Sequence, residues 1–144
     1  GSVIHHHDPN VLPFAIAPVR LRPVFHLGAL AGPEVPVWDS QEEFGDTSLL
    51  VSDMATARAL ARTLGDGPAL LLKRHGAVCV ASNLKQAVFV AICMRDNARL
   101  LREALALGEP SYLTRGEIEA AAAKHDGGAP VERAWEFWKS RLGG

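Results

Sequence analysis

Apolar residues recur along this chain with two periods, and the change of period divides it into strands and helices. Ser2 to His7 opens on apolar Val3-Ile4 and ends at Asp8-Pro9, where proline removes a ladder donor and favours a turn. This predicts a short buried strand. Asn10 to Ala17 predicts one or two helical turns opened by Asn10. Pro18, Pro23, Gly28, Gly32, Pro33 and Pro36 then leave room only for short pieces, and Val19 to Phe25 and Val35 to Trp38 read as extended. A helix follows from Met54 to Leu64, with Ser52 as cap, Met54, Ala57, Ala61 and Leu64 on one face, and Gly65 as the stop. Ala69 to Arg74 and Ala77 to Ala81 are apolar runs of strand length around His75-Gly76, which predicts a hairpin whose tight turn uses the backbone freedom of glycine.

The longest periodic stretch runs from Leu84 to Leu107, with Leu84, Ala87, Val88, Ala91, Ile92, Ala98, Leu101 and Leu105 at three- and four-residue steps. Asn83 and Gln86 suggest a capping pair, and Gly108 with Pro110 ends the helix. Two shorter helices close the chain: Arg115 to Lys124, with Thr114 and Glu117 in capping-box spacing, and Val131 to Leu142. Strands alternating with amphipathic helices predict a mixed α/β or α+β layered domain, and there is no internal repeat.

Composition narrows the function. The chain has 144 residues, one ordinary domain by length, with 48% hydrophobic and 22% charged residues and a formal net charge of -1. A near-neutral chain has no broad field for nucleic acid or an anionic membrane, so a small-molecule ligand is expected. No apolar run approaches the roughly 20 residues that cross a bilayer. Cys79 and Cys93 lie in apolar stretches without C-x-x-C spacing, and no secretory signal precedes them, which predicts a reduced, cytoplasmic protein. Trp135, Phe137 and Trp138 fall on more than one side of a short helix, which predicts an oligomer.

The chemistry lies in the histidines. Along a strand alternate side chains share a face, so His5 and His7 project together while His6 points away. Neutral imidazoles suit zinc and other first-row divalent ions, and a catalytic site takes three protein ligands and leaves one position open. His26, His75 and His125 are the candidates for the third ligand. His75, at the tip of a buried hairpin, is the choice. His125 sits in a polar helix tail beside Asp126-Gly127-Gly128 and reads as solvated, and His26, between Phe25 and Leu27, reads as a core or pocket residue. A tag would not follow a strand-like apolar pair and run into Asp8-Pro9-Asn10.

Four segments resemble one family in order and surroundings. Ser2-Val3-Ile4-His5-His6-His7-Asp8-Pro9 looks like the H-x-H metal strand of the class II aldolase/adducin family, and Leu71-Leu72-Lys73-Arg74-His75-Gly76-Ala77-Val78 looks like its third-ligand hairpin. Leu21-Arg22-Pro23-Val24-Phe25-His26 and Ser82-Asn83-Leu84-Lys85-Gln86-Ala87 also resemble it. The resemblance implies an α/β/α three-layer sandwich around a largely antiparallel sheet, assembled as a cyclic homotetramer. It implies one divalent ion at His5, His7 and His75, zinc first, with manganese, magnesium, iron or cobalt as alternatives. Two departures stand out. The family's N-terminal stretch, with its substrate-anchoring loops and acidic catalytic residue, is not represented, so a truncated chain with little lyase activity is expected. Val80-Ala81-Ser82 also stands where the family commonly has glycine.

An open metal position acts as a Lewis acid that polarises a hydroxy-carbonyl substrate and holds the enediolate left by C–C cleavage. Aldol cleavage, decarboxylation and cleave-and-rejoin epimerisation all fit. Arg20 and Arg22 alternate onto one face and suit a carboxylate or phosphate, His26 is a pocket candidate, and Tyr112 is a candidate proton donor to a neighbouring subunit. Two other classes fit the residues less well. A cupin-like dioxygenase needs a glutamate soon after H-x-H, and Asp8 to Leu12 has none. A non-catalytic, oligomerising adducin-like module would not need intact histidines.

Overall fold

The computed structural model describes residues 1–125 and 128–142. Its elements, in chain order, are β1 (Ser2–His6), β2 (Val37–Trp38), α1 (Ser40–Phe44), α2 (Met54–Leu64), β3 (Ala69–Leu72), β4 (Gly76–Ala81), α3 (Leu84–Leu107), α4 (Arg115–His125) and α5 (Ala129–Ser140), with 3-10 turns at Leu12–Ala15 and His26–Ala31. The sheet order is β1-β4-β3-β2. β1 and β3 both run antiparallel to β4, while β2 pairs parallel with β3. The expected mixed α/β sandwich is therefore present, with one parallel pair in a largely antiparallel sheet.

Period-two alternation assigns each strand residue to a layer. Leu71, Ala77 and Cys79 pack with Val90, Met94, Ala98 and Leu101 of α3. Leu70, Leu72 and Val78 take the opposite face, against Ala59, Leu60 and Leu64 of α2. β3 is buried on both faces, which is why it reads as an unbroken apolar run. α5 joins through Val131, Ala134 and Trp138, which meet Phe89 and Cys93 of α3.

Capping explains the helix starts. Asn83 accepts from the Gln86 N–H, and Thr114 and Glu117 make the reciprocal pair of a capping box. Elsewhere the expectations need correction. α2 is capped by Asp53, which accepts from the Ala55 and Thr56 N–H groups, because a carboxylate next to the first turn out-competes Ser52. Its inner face is Thr56, Ala59, Leu60 and Leu64, with Met54 outside. Asp8, rather than Asn10, opens the turn after β1 by accepting from the Asn10 N–H. α1 was not expected; it is one short turn capped by Asp39.

Residues 19–25 are not a strand. They are held to α3 by Asn97, a buried amide that accepts from the Val24 N–H at 2.9 Å and donates to the Arg22 carbonyl at 2.9 Å. Two side-chain bonds thus replace a ladder. β1 is the other correction: it forms the sheet edge, and Val3 is 71% exposed.

Candidate metal centre

The pairing of β1 with β4 builds the cluster. His5 lies opposite Val78 and His6 opposite Ala77, so the strand delivers His5 and His7 to the end of β4 where the turn carries His75. One nitrogen from each of the three imidazoles lies within 4.8 Å of the others. Nε2 of His5 and Nε2 of His7 are 3.1 Å apart. Imidazole nitrogens at about 2.0–2.1 Å from a tetrahedral ion would stand roughly 3.3 Å apart, so the His5–His7 spacing fits a first-row divalent cation.

Three features prepare the rings. His5 donates through Nδ1 to the Ala77 carbonyl at 3.0 Å, which leaves the lone pair on Nε2 facing the cluster. Nδ1 of His75 is buried and has no hydrogen-bond partner among the described residues. Gly76 gives the rings room: a Cβ there would come within 2.6 Å of the His6 carbonyl oxygen, 2.9 Å of the His7 ring and 3.1 Å of the His5 ring. The glycine is needed for clearance rather than for the turn. The left-handed residue of the turn is Arg74, at φ 61°, which corrects the expectation drawn from His75-Gly76.

Electrostatics favour the ligand form. Partial burial lowers the His5 pKa, the Ala77 carbonyl opposes that, and the nearby His7 and His75 add to the lowering. A neutral imidazole is the metal-binding state. His6 faces the α3 side, with Nδ1 accepting from the Asp8 N–H at 3.3 Å and Nε2 4.0 Å from the Cys79 sulfur. Burial lowers the His6 pKa and pushes the thiols of Cys79 and Cys93 up to about 12, so both cysteines are protonated at neutral pH.

The other sequence-nominated residues sit elsewhere. Arg20 pairs with Glu34 at 3.2 Å on the surface. Arg22 lies over the Tyr112 ring, 4.1 Å from its centroid, and the Leu113 N–H donates to the Pro23 carbonyl, so Tyr112 anchors the chain after α3 against residues 22–23. Without a strand at 19–25, the two arginines do not share a strand face. His26 is exposed rather than a core or pocket residue, with its ring edge-on to Phe25 and tilted against His125, 5.6 Å away. His125 is half-buried rather than solvated, and its neighbours Asp126 and Gly127 lie outside the described residues. Sequence reasoning missed the Ala77 carbonyl, which has no side-chain signal, and the clearance at Gly76, which shows only when the strands are paired.

Fold and cluster together define a layered α/β domain with a histidine site at a sheet edge. The chain belongs to the class II aldolase and adducin family: the family described as "Class II Aldolase and Adducin N-terminal domain" matches residues 1–101. The decarboxylase tropJ of Talaromyces stipitatus is 28% identical over 95% of this chain and 59% of its own length. The 5-deoxy-D-ribulose 1-phosphate aldolase of Bacillus thuringiensis serovar kurstaki is 32% identical over 88% of this chain and 56% of its own. A solved L-fuculose 1-phosphate aldolase superposes with a TM-score of 0.70 at 26% identity, covering 87% of this chain and 55% of that one. The chain thus spans a little over half the length of these relatives.

Proposed function

We propose that this chain forms the metal-holding part of a divalent-metal-dependent lyase that breaks a C–C bond in a small hydroxy-carbonyl or hydroxy-acid substrate. The observation that carries the reading is the convergence of His5 and His7, at the end of β1, with His75 of the β3–β4 turn, with His5 and His7 exposed. Zinc is the first choice, with manganese, magnesium, iron or cobalt next. A cation bound there would supply Lewis acidity to the substrate oxygens and stabilise the charge left by the departing carbon.

The chain's own residues do the holding. The Ala77 carbonyl orients His5, the turn of β3 and β4 presents His75, and Gly76 leaves the three rings their space. The relatives include aldolases and decarboxylases, which supports C–C lyase chemistry as the class. Assembly into a homo-oligomer, with a tetramer as the expected form, is part of the same reading, and Phe137, 53% exposed, is among the apolar groups it would cover. Among the described residues no helix is long and apolar enough to cross a membrane.

Elemental analysis of purified, untagged protein tests the proposal. About one divalent ion per chain is expected. Metal content near zero after refolding with zinc or manganese would overturn the lyase reading and favour the non-catalytic, adducin-like alternative.

A further inference from the structure

Outside the histidine cluster, one carboxylate is tied to the turn that carries His75. Asp39 follows β2 and Lys73 follows β3, and the parallel pairing of Trp38 with Leu72 sets the two side by side. The Lys73 N–H donates to the Trp38 carbonyl at 2.9 Å. The Asp39 side chain is only 8% exposed and accepts from Lys73 Nζ at 2.6 Å and from Arg74 Nη2 at 3.4 Å. It also accepts from the Gln41 N–H at 3.1 Å. A carboxylate so buried is stable only when paired, and here its partners are the two residues directly before His75.

The turn itself is strained. Arg74 is a non-glycine L-residue at φ 61°, a left-handed conformation that persists only where surrounding contacts impose it. The contacts here are the Arg74 N–H to the Ala15 carbonyl at 2.8 Å, the His75 N–H to the Leu72 carbonyl at 3.0 Å, and the Asp39 carboxylate. We propose that Asp39 is a positioning residue that fixes His75 in the histidine cluster by clamping Lys73 and Arg74. The inference rests on the metal reading above. Asp39 does not touch a histidine; it acts through the turn.

Cobalt(II) is the probe, with affinity read by chelator competition, coordination by the visible absorption band, and folding by melting of the metal-free protein. Asp39→Asn is expected to weaken cobalt binding about 10- to 100-fold, the usual effect of losing a group that orients ligands, and to alter the band. Asp39→Asn combined with Lys73→Met restores the net charge, so it stays as weak as Asp39→Asn if position matters and recovers if only charge matters. Leu64→Ala, which destabilises the α2 layer, should lower the melting temperature and leave cobalt affinity within about twofold. Wild-type affinity and band in Asp39→Asn would overturn the clamp while leaving the metal reading intact. So would recovery in the double variant, or an affinity loss in Leu64→Ala equal to that of Asp39→Asn. Failure of the wild-type protein to bind cobalt would overturn the metal reading and the clamp with it.

Discussion

β3 and β1 lie in one sheet, yet they are built for opposite purposes. All four residues of β3 are buried, between α2 on one face and α3 on the other. β1 alternates half-buried and exposed positions at the sheet edge, and Ile4 and His6 share with Val88, Ala91 and Ile92 of α3 the lining of an open groove. The histidine cluster forms where the two regimes meet. The packed hairpin supplies a third imidazole whose backbone is fixed, and the open edge supplies two that are exposed. Rigidity and access thus come from different strands.

Substitutions can break this division of labour. The largest effect is expected from His75→Ala, which removes the imidazole on the rigid side and should reduce metal content by elemental analysis to near zero. Leu71→Ala, at the doubly covered strand, should cost about 2–5 kcal/mol in denaturant unfolding of the metal-free protein. Gly76→Ala should weaken metal binding by about 10- to 100-fold in chelator competition, since a methyl group must displace the His6 carbonyl and both neighbouring rings.

A smaller effect separates the clamp from the cluster by pH. The hydrogen bond from Lys73 holds the Asp39 carboxyl below its ordinary value of 3.8, so folding favours the ionised form. Its stability contribution is present above that ordinary value and is lost as pH falls through the lowered one. The difference in melting temperature between wild type and Asp39→Asn, measured without metal, should therefore be constant from about pH 5 to 7 and shrink below about pH 4. The smallest effect belongs to the open edge: Val3→Ser should change stability by no more than about 0.5 kcal/mol, because Val3 is already in water.

Much of the fold was legible. The 24-residue helix α3, the α2 span and the paired apolar runs β3 and β4 follow from periodicity, and Asn83 and Thr114 mark helix starts by a local rule. The errors have physical causes. Residues 19–25 carry apolar and basic residues at strand-like spacing, but Asn97, buried inside α3 and distant in sequence, supplies their hydrogen bonds. The inner face of α2 was misjudged because alanines on several sides of a helix do not say which side meets the sheet. Arg20 and Arg22 would share a face only on a strand, and here they meet Glu34 and Tyr112 separately.

The sequence by itself determined what short-range physics controls: helix lengths and most stops, the alternation of His5 and His7, and a histidine beside the glycine of a hairpin. Side-chain period, capping and turn chemistry all act within a few residues, so they leave a readable trace. Only the tertiary structure decided that β1 pairs with β4, that the register sets His5 opposite Val78, and that His75 meets the other two rings over Gly76. It also decided that Asp39, 34 residues before Lys73, closes on the turn. Contacts between residues so far apart are selected by the summed packing of whole layers, and that sum has no local signature.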